Sequence, residues 1–146
     1  MQEIAHEIRQ VVIEAYEALS RVKPEEAAYK PDPENWSKKE ILGHLIDSAA
    51  NNHQRIVRAS YGVALDFPPY HQTEWVNCQH YNTLDWQDLL VFWAAYNRHL
   101  CSLIERMPPS TLTAQCNLGA DEPFPLEFVI RDYLRHLKHH LKDLLS

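Results

Sequence analysis

Apolar positions recur along most of the chain at alternating steps of three and four, the spacing that lines one face of a helix. Ile4, Ile8, Val11, Ala15, Ala18 and Val22 predict a first helix over about residues 3–22. Lys23-Pro24 and the segment Lys30-Pro31-Asp32-Pro33-Glu34-Asn35 stop it in a turn-rich linker, because proline lacks an amide donor and restricts the residue before it. Ser37-Lys38-Lys39-Glu40 then fits a capping box, in which the serine oxygen takes the glutamate amide and the glutamate side chain reaches back. It opens a second helix with the inward stripe Ile41, Leu45, Ala49, Asn52 and Ile56, ending near Ser60 before Tyr61-Gly62. Trp86, Leu89, Trp93, Tyr96, Leu100, Ile104 and Met107 define a third helix, closed by Pro108-Pro109. Beyond Pro123-Phe124-Pro125 a last stripe runs through Leu126, Ile130, Tyr133, Leu137, His140 and Leu144, with one histidine on the seam.

There is no internal repeat and no convincing β alternation, so four apolar stripes must bury one another. The expected class is all-α, a single domain over residues 1–146 built as a four-helix bundle. Residues 61–83 form a 23-residue connection without sustained period, longer than an antiparallel hairpin needs. Such a crossover leaves the second and third helices parallel and gives the order up-down-down-up.

Composition narrows the function. The 146 residues are 45% hydrophobic and 23% charged, ordinary for a folded domain. The net charge of -6 repels phosphate backbones and anionic lipid, which argues against nucleic acid as a partner. The longest unbroken apolar run, Leu89 to Tyr96, is too short to span a membrane. The start Met1-Gln2-Glu3-Ile4-Ala5-His6-Glu7 has no signal-peptide character, so a cytoplasmic location is expected. Cys78, Cys101 and Cys116 form no C-x-x-C pair and read as reduced thiols. Three widely spaced glycines exclude a Gly-rich nucleotide loop, and no G-x-S-x-G motif occurs.

Histidine is the outlier, with nine residues. His136 and His140 lie four apart and project from one helix face, close enough to share a cation. His44, beside the Ile41-Leu45 stripe, is the candidate third ligand from a facing helix. Three neutral imidazoles leave a position open for water or substrate, the mark of a catalytic site for zinc or a similar ion. Such an ion makes a nucleophile of water or a thiol near neutral pH. Asp132 and Glu40 stand four residues before His136 and His44, as candidates to accept the other ring N–H. Asp47, Asn51 and Arg55 continue the His44 stripe and are candidates for orienting a small-molecule substrate. The same spacings also suit a solvated or core histidine pair and a polar helix surface. His71, Trp75, His80 and Tyr81 in the long connection suit a pocket cover or simple anchoring, and no catalytic role is assigned to them.

The segments Trp36-Ser37-Lys38-Lys39-Glu40-Ile41-Leu42-Gly43-His44-Leu45-Ile46-Asp47, Trp75 through Trp93, and His136-Leu137-Lys138-His139-His140 resemble the DinB-like superfamily, including its YfiT-type members, over nearly the whole chain. The resemblance implies an up-down-down-up bundle with a metal on His44, His136 and His140. It further implies zinc or nickel, with iron or manganese also admitted, in a hydrolase or a thiol S-transferase that uses a low-molecular-weight thiol. A cytoplasmic homodimer is the implied assembly, and the short stretch beyond His140 brings a partner chain into play there. The alternative is a non-catalytic metal- or small-molecule-binding dimeric bundle protein, stress-linked, whose ion ties two helices together.

Overall fold

The computed structural model describes residues 1–61, 65–67 and 69–146; Gly62 and Pro68, read above as part of the helix stop and the crossover, lie outside the described residues. The four long helices are α1 (Gln2–Leu19), α3 (Lys38–Ser60), α5 (Trp86–Glu105) and α6 (Leu126–Leu144), with short helices α2 (Pro24–Ala28) and α4 (Gln72–Gln79) in the connections. Helix α1 ends three residues earlier than its apolar stripe predicts. Arg21 and Val22 donate to Ala18 and Leu19 as a tightening turn, and Pro24 starts α2 at the position where a missing amide costs nothing.

The start of α3 is the predicted capping box: the Ser37 hydroxyl oxygen accepts from the Glu40 amide at 3.2 Å, and Glu40 Oε2 accepts from the Ser37 amide at 2.7 Å. Further contacts fix the helix directions. Lys39 Nζ donates to the Leu84 carbonyl at one end of the bundle, and His53 meets Tyr96 farther along both helices, so α3 and α5 run parallel. Trp86 Nε1 donates to the Leu19 carbonyl while Arg9 pairs with Glu105, so α1 and α5 are antiparallel. Lys38 Nζ reaches the Leu144 carbonyl, so α3 and α6 are antiparallel as well. The order is therefore up-down-down-up, as the length of the 61–83 connection predicts.

Trp86, Trp93, Leu90, Leu100 and Ile104 of α5 are fully buried against α1 and α3. Helix α3 packs on α5, α6 and α4, which buries every residue from Leu42 to Ala49, more than the single stripe read from the sequence. No helix among the described residues is long and apolar enough to cross a membrane.

A minor strand element accompanies the helices of the all-α bundle. A three-stranded sheet is present: β1 (Leu65–Asp66) pairs in parallel with β2 (Gln115–Asn117), which pairs antiparallel with β3 (Phe124–Pro125). Strands of two and three residues are too short to show alternation, and their pairing is imposed by the helices they connect. The sheet ties the α3–α4 crossover to the loop before α6, at the end of the bundle opposite the Ser37 cap.

Candidate metal centre

The antiparallel packing of α3 and α6 sets the first turns of one beside the last turns of the other. His44 therefore meets His136 and His140, with ring centroids 5.0 and 4.6 Å away, while His136 and His140 are 4.5 Å apart. The closest nitrogens, His44 Nε2 and His136 Nε2, are separated by 3.1 Å, and one ring nitrogen from each of the three lies within 4.8 Å of the others. A tetrahedral ion with bonds of about 2.0–2.1 Å places its donor atoms about 3.3 Å apart, so the three imidazoles fit such an ion with little movement.

The electrostatics suit the same purpose. His44 is completely buried, and that burial, reinforced by His136 and His140, holds its pKa down to about 3. His136 is lowered to about 4, again chiefly by burial and then by His140, with Asp132 pulling weakly the other way. His140 is lowered too, by burial and by His139. All three are neutral near pH 7 and present lone pairs, the state a metal requires. His139 is exposed and touches His140 only from outside. With His140 and Asp143 it forms a second possible donor group on the outer face.

The orienting contacts differ from those expected. Glu40 is occupied by its cap and by Lys30 at 3.1 Å, and Asp132 by Arg135, whose Nε donates at 2.9 Å. Neither hydrogen-bonds a histidine among the described residues, because the helix register turns each carboxylate toward a nearer cation. Instead Ser48 Oγ lies 3.3 Å from His136 Nδ1, while His44 Nδ1 is buried without a partner among the described residues. Ser48 stands four residues after His44 on α3, a spacing that could have singled it out.

Of the three candidate substrate-orienting residues, Arg55 lines a cavity of about 200 Å³ with Ser48, Asn52, Tyr70, Asp132 and His136. Asn51 donates to the Asp47 carbonyl and lines a neighbouring, more open groove with Tyr70, His71 and Trp75. Asp47 is buried, and its Oδ1 accepts from Gln79 Nε2 at 2.7 Å and from the Tyr81 hydroxyl at 2.6 Å. Gln79 Oε1 lies 2.8 Å from that hydroxyl, whose single proton can serve only one of the two acceptors. Burial raises the Asp47 pKa, and these hydrogen bonds oppose the shift. Tyr81→Phe removes a hydrogen bond to a buried carboxylate and should cost about 1.5–3 kcal/mol in urea unfolding. An unchanged midpoint would show that the contact contributes nothing.

Larger openings exist elsewhere. A groove of about 530 Å³ between α1 and α5 contains none of the three histidines and is lined mainly by apolar side chains. Cys101 and Cys116 are buried free thiols and Cys78 is exposed and free.

Four long helices in up-down-down-up order, with imidazoles converging from the second and the last of them, define a helical-bundle protein with a clustered histidine site. The chain belongs to the DinB superfamily, whose family model matches residues 7–144. A protein of Oceanobacillus iheyensis whose name proposes a metal-dependent hydrolase is 26% identical over 111 residues, 76% of this chain and 64% of that protein. The fold matches YfiT from Bacillus subtilis, described as a probable metal-dependent hydrolase with an unusual four-helix bundle topology, at TM-score 0.85 and 16% identity over 97% of this chain and 83% of that one. It also matches a mycothiol-dependent maleylpyruvate isomerase at TM-score 0.80 and 15% identity, over 97% of this chain and 59% of that one. This chain thus spans less than two thirds of the hydrolase-named relative and of the isomerase.

Proposed function

We propose that the chain is a metal-dependent enzyme in which His44, His136 and His140 hold one divalent transition ion, zinc or nickel with iron or manganese as alternatives, for hydrolysis or thiol transfer on a small molecule. The observation that carries this is the convergence of three neutral imidazoles from two helices, 92 residues apart in sequence, on one point. When bound, the ion supplies Lewis acidity that brings water or a low-molecular-weight thiol toward deprotonation near neutral pH.

The chain's own residues do the rest. With Ser48 Oγ accepting the Nδ1 proton of His136, the Nε2 lone pair would be left facing His44 and free to bind the ion. Asp47 is a positioning residue: with Tyr81 and Gln79 it clamps α3 to the crossover three residues beyond His44. Arg55 lines the cavity that reaches His136, and Asn51 lines the groove beside it, which shares Tyr70 with that cavity. The name of the Oceanobacillus relative supports the hydrolytic reading, and the mycothiol dependence of the isomerase supports the thiol reading. Free cysteines suit the reducing cytoplasm.

Elemental analysis of tag-free protein tests the reading. About one equivalent of a transition metal is expected in the native chain and in His139→Ala, and none in His44→Ala or His140→Ala. Equal loss in all of these variants, or a native protein that cannot be loaded, would sink it.

We propose the α1–α5 groove as a homodimer contact. Ile13 and Val91 are exposed there, and Glu17 and Arg98 line the same groove with opposite charges, so that each would face the other across a two-fold axis. Ile13→Glu should convert the dimer to monomer in sedimentation; a native protein that is already monomeric removes the assignment.

A further inference from the structure

The cavity beside His136 contains a cation that the protein itself leaves unneutralised. Arg9, Arg131 and Arg135 each pair with a carboxylate. Arg55 is half-buried, and its guanidinium makes neither an ion pair nor a hydrogen bond among the described residues. Its contact is the face of Phe67, 5.9 Å from the ring centroid, which orients the planar group without neutralising it. The nearest acid lining the same cavity, Asp132, is committed to Arg135. Burial lowers the Arg55 pKa, which is the electrostatic cost of a partly desolvated, unpaired charge.

A group of this kind is completed by an anion, and the cavity limits which one. Its volume of about 200 Å³ suits a small ligand. Leu118, Phe128 and Val129 form one wall, which suits a short hydrocarbon body. The guanidinium fork matches two carboxylate oxygens, and Tyr70 stands beside it in the same cavity.

We propose that this cavity takes a small organic carboxylate, with Arg55 gripping the carboxylate and the hydrocarbon body lying on the Leu118–Phe128–Val129 wall beside His136. This deepens the functional reading above by naming the substrate class, and it rests on that reading for what happens to the ligand afterwards. Arg55 is here the residue that selects for negative charge.

The test is an NMR titration of isotope-labelled full-length protein with butyrate, with the uncharged isostere butyramide, and with inorganic phosphate, at fixed ionic strength. It is run on the protein as purified and again after chelation. Butyrate should shift the Arg55 Nε–H and the Ser48 and Asn52 amides saturably, chelated or not, while butyramide leaves them in place. Arg55→Gln should weaken butyrate by about tenfold or more, the loss expected for a charge-assisted pair. Should that variant misfold, the butyrate-against-butyramide contrast in the native chain decides alone. Equal binding of butyramide, no saturable shift with butyrate, or an Arg55→Gln variant that binds butyrate as tightly overturns the proposal. Tighter binding of phosphate than butyrate also overturns it, in favour of a phosphoryl ligand. Loss of butyrate binding on chelation assigns the anion to a bound ion and likewise refutes Arg55. A protein that holds no metal yet binds butyrate through Arg55 sinks the metal reading and leaves this one standing.

Discussion

Metal-free protein should lose about 2 kcal/mol or more of folding stability between pH 7.5 and pH 5. The source is the histidine cluster. His44 titrates near 3 in the folded chain and near the ordinary 6.5 once unfolded, because folding removes it from water and sets it against two other imidazoles. A group depressed in this way binds fewer protons folded than unfolded, so its stabilising contribution is complete above about pH 6.5 and is lost as pH falls toward the folded value. At pH 5 the gap is about 1.5 pH units, or about 2 kcal/mol, from His44 alone. His136, lowered to about 4, adds in the same direction, less strongly because it is partly exposed. Asp47 opposes them, since its raised pKa favours the protonated folded state. Urea midpoints at several pH values measure the slope, and His44→Leu should flatten it. A slope that His44→Leu leaves intact would place the acid sensitivity elsewhere. Saturating zinc should steepen the loss, because protons and the ion compete for the same lone pairs.

The second large effect is expected at Gly43. Alanine is normally worth about 1 kcal/mol more than glycine inside a helix, so propensity alone predicts that Gly43→Ala stabilises. The structure predicts the reverse. A Cβ at position 43 would stand 2.1 to 2.5 Å from Tyr81 ring carbons, and that ring is pinned by its hydroxyl on Asp47. Either the ring moves and abandons the buried carboxylate, or α3 is pushed away from the crossover. Overpacking and the lost charge-assisted hydrogen bond together should cost about 3 kcal/mol. Pairing Gly43→Ala with Tyr81→Ala separates the two, because removing the ring makes room for the methyl and should abolish most of the added cost. A neutral or stabilising Gly43→Ala in the presence of Tyr81 would refute the clash.

Gly43 also marks where sequence reasoning stopped short. A glycine in the middle of a well-capped helix is a sign of close approach, yet nothing in the sequence says that Tyr81 is what approaches. Periodicity carried the four long helices because each buries a continuous face, and the capping box placed the start of α3. The parallel α3–α5 pair followed from the length of the crossover. Two histidines on α6 and one on α3 could be chosen from spacing and resemblance, and these elements do pack together. The short α2 and α4 and the three strands could not, since segments of this length take their shape from the helices they connect. The expected roles of Glu40 and Asp132 failed for a related reason: spacing on one helix says which groups are neighbours, but not which cation arrives from elsewhere.

Because α3 and α6 face each other from distant parts of the chain, the histidines come together late in synthesis. His136 leaves the ribosome 92 residues after His44, a delay of about 5–20 s at ordinary elongation rates. A nascent chain that ends before α6 holds one of the three imidazoles and has no partner for it. Any ion captured there is therefore a receipt for a finished bundle, and cells starved of that ion should accumulate full-length, empty protein rather than stalled fragments.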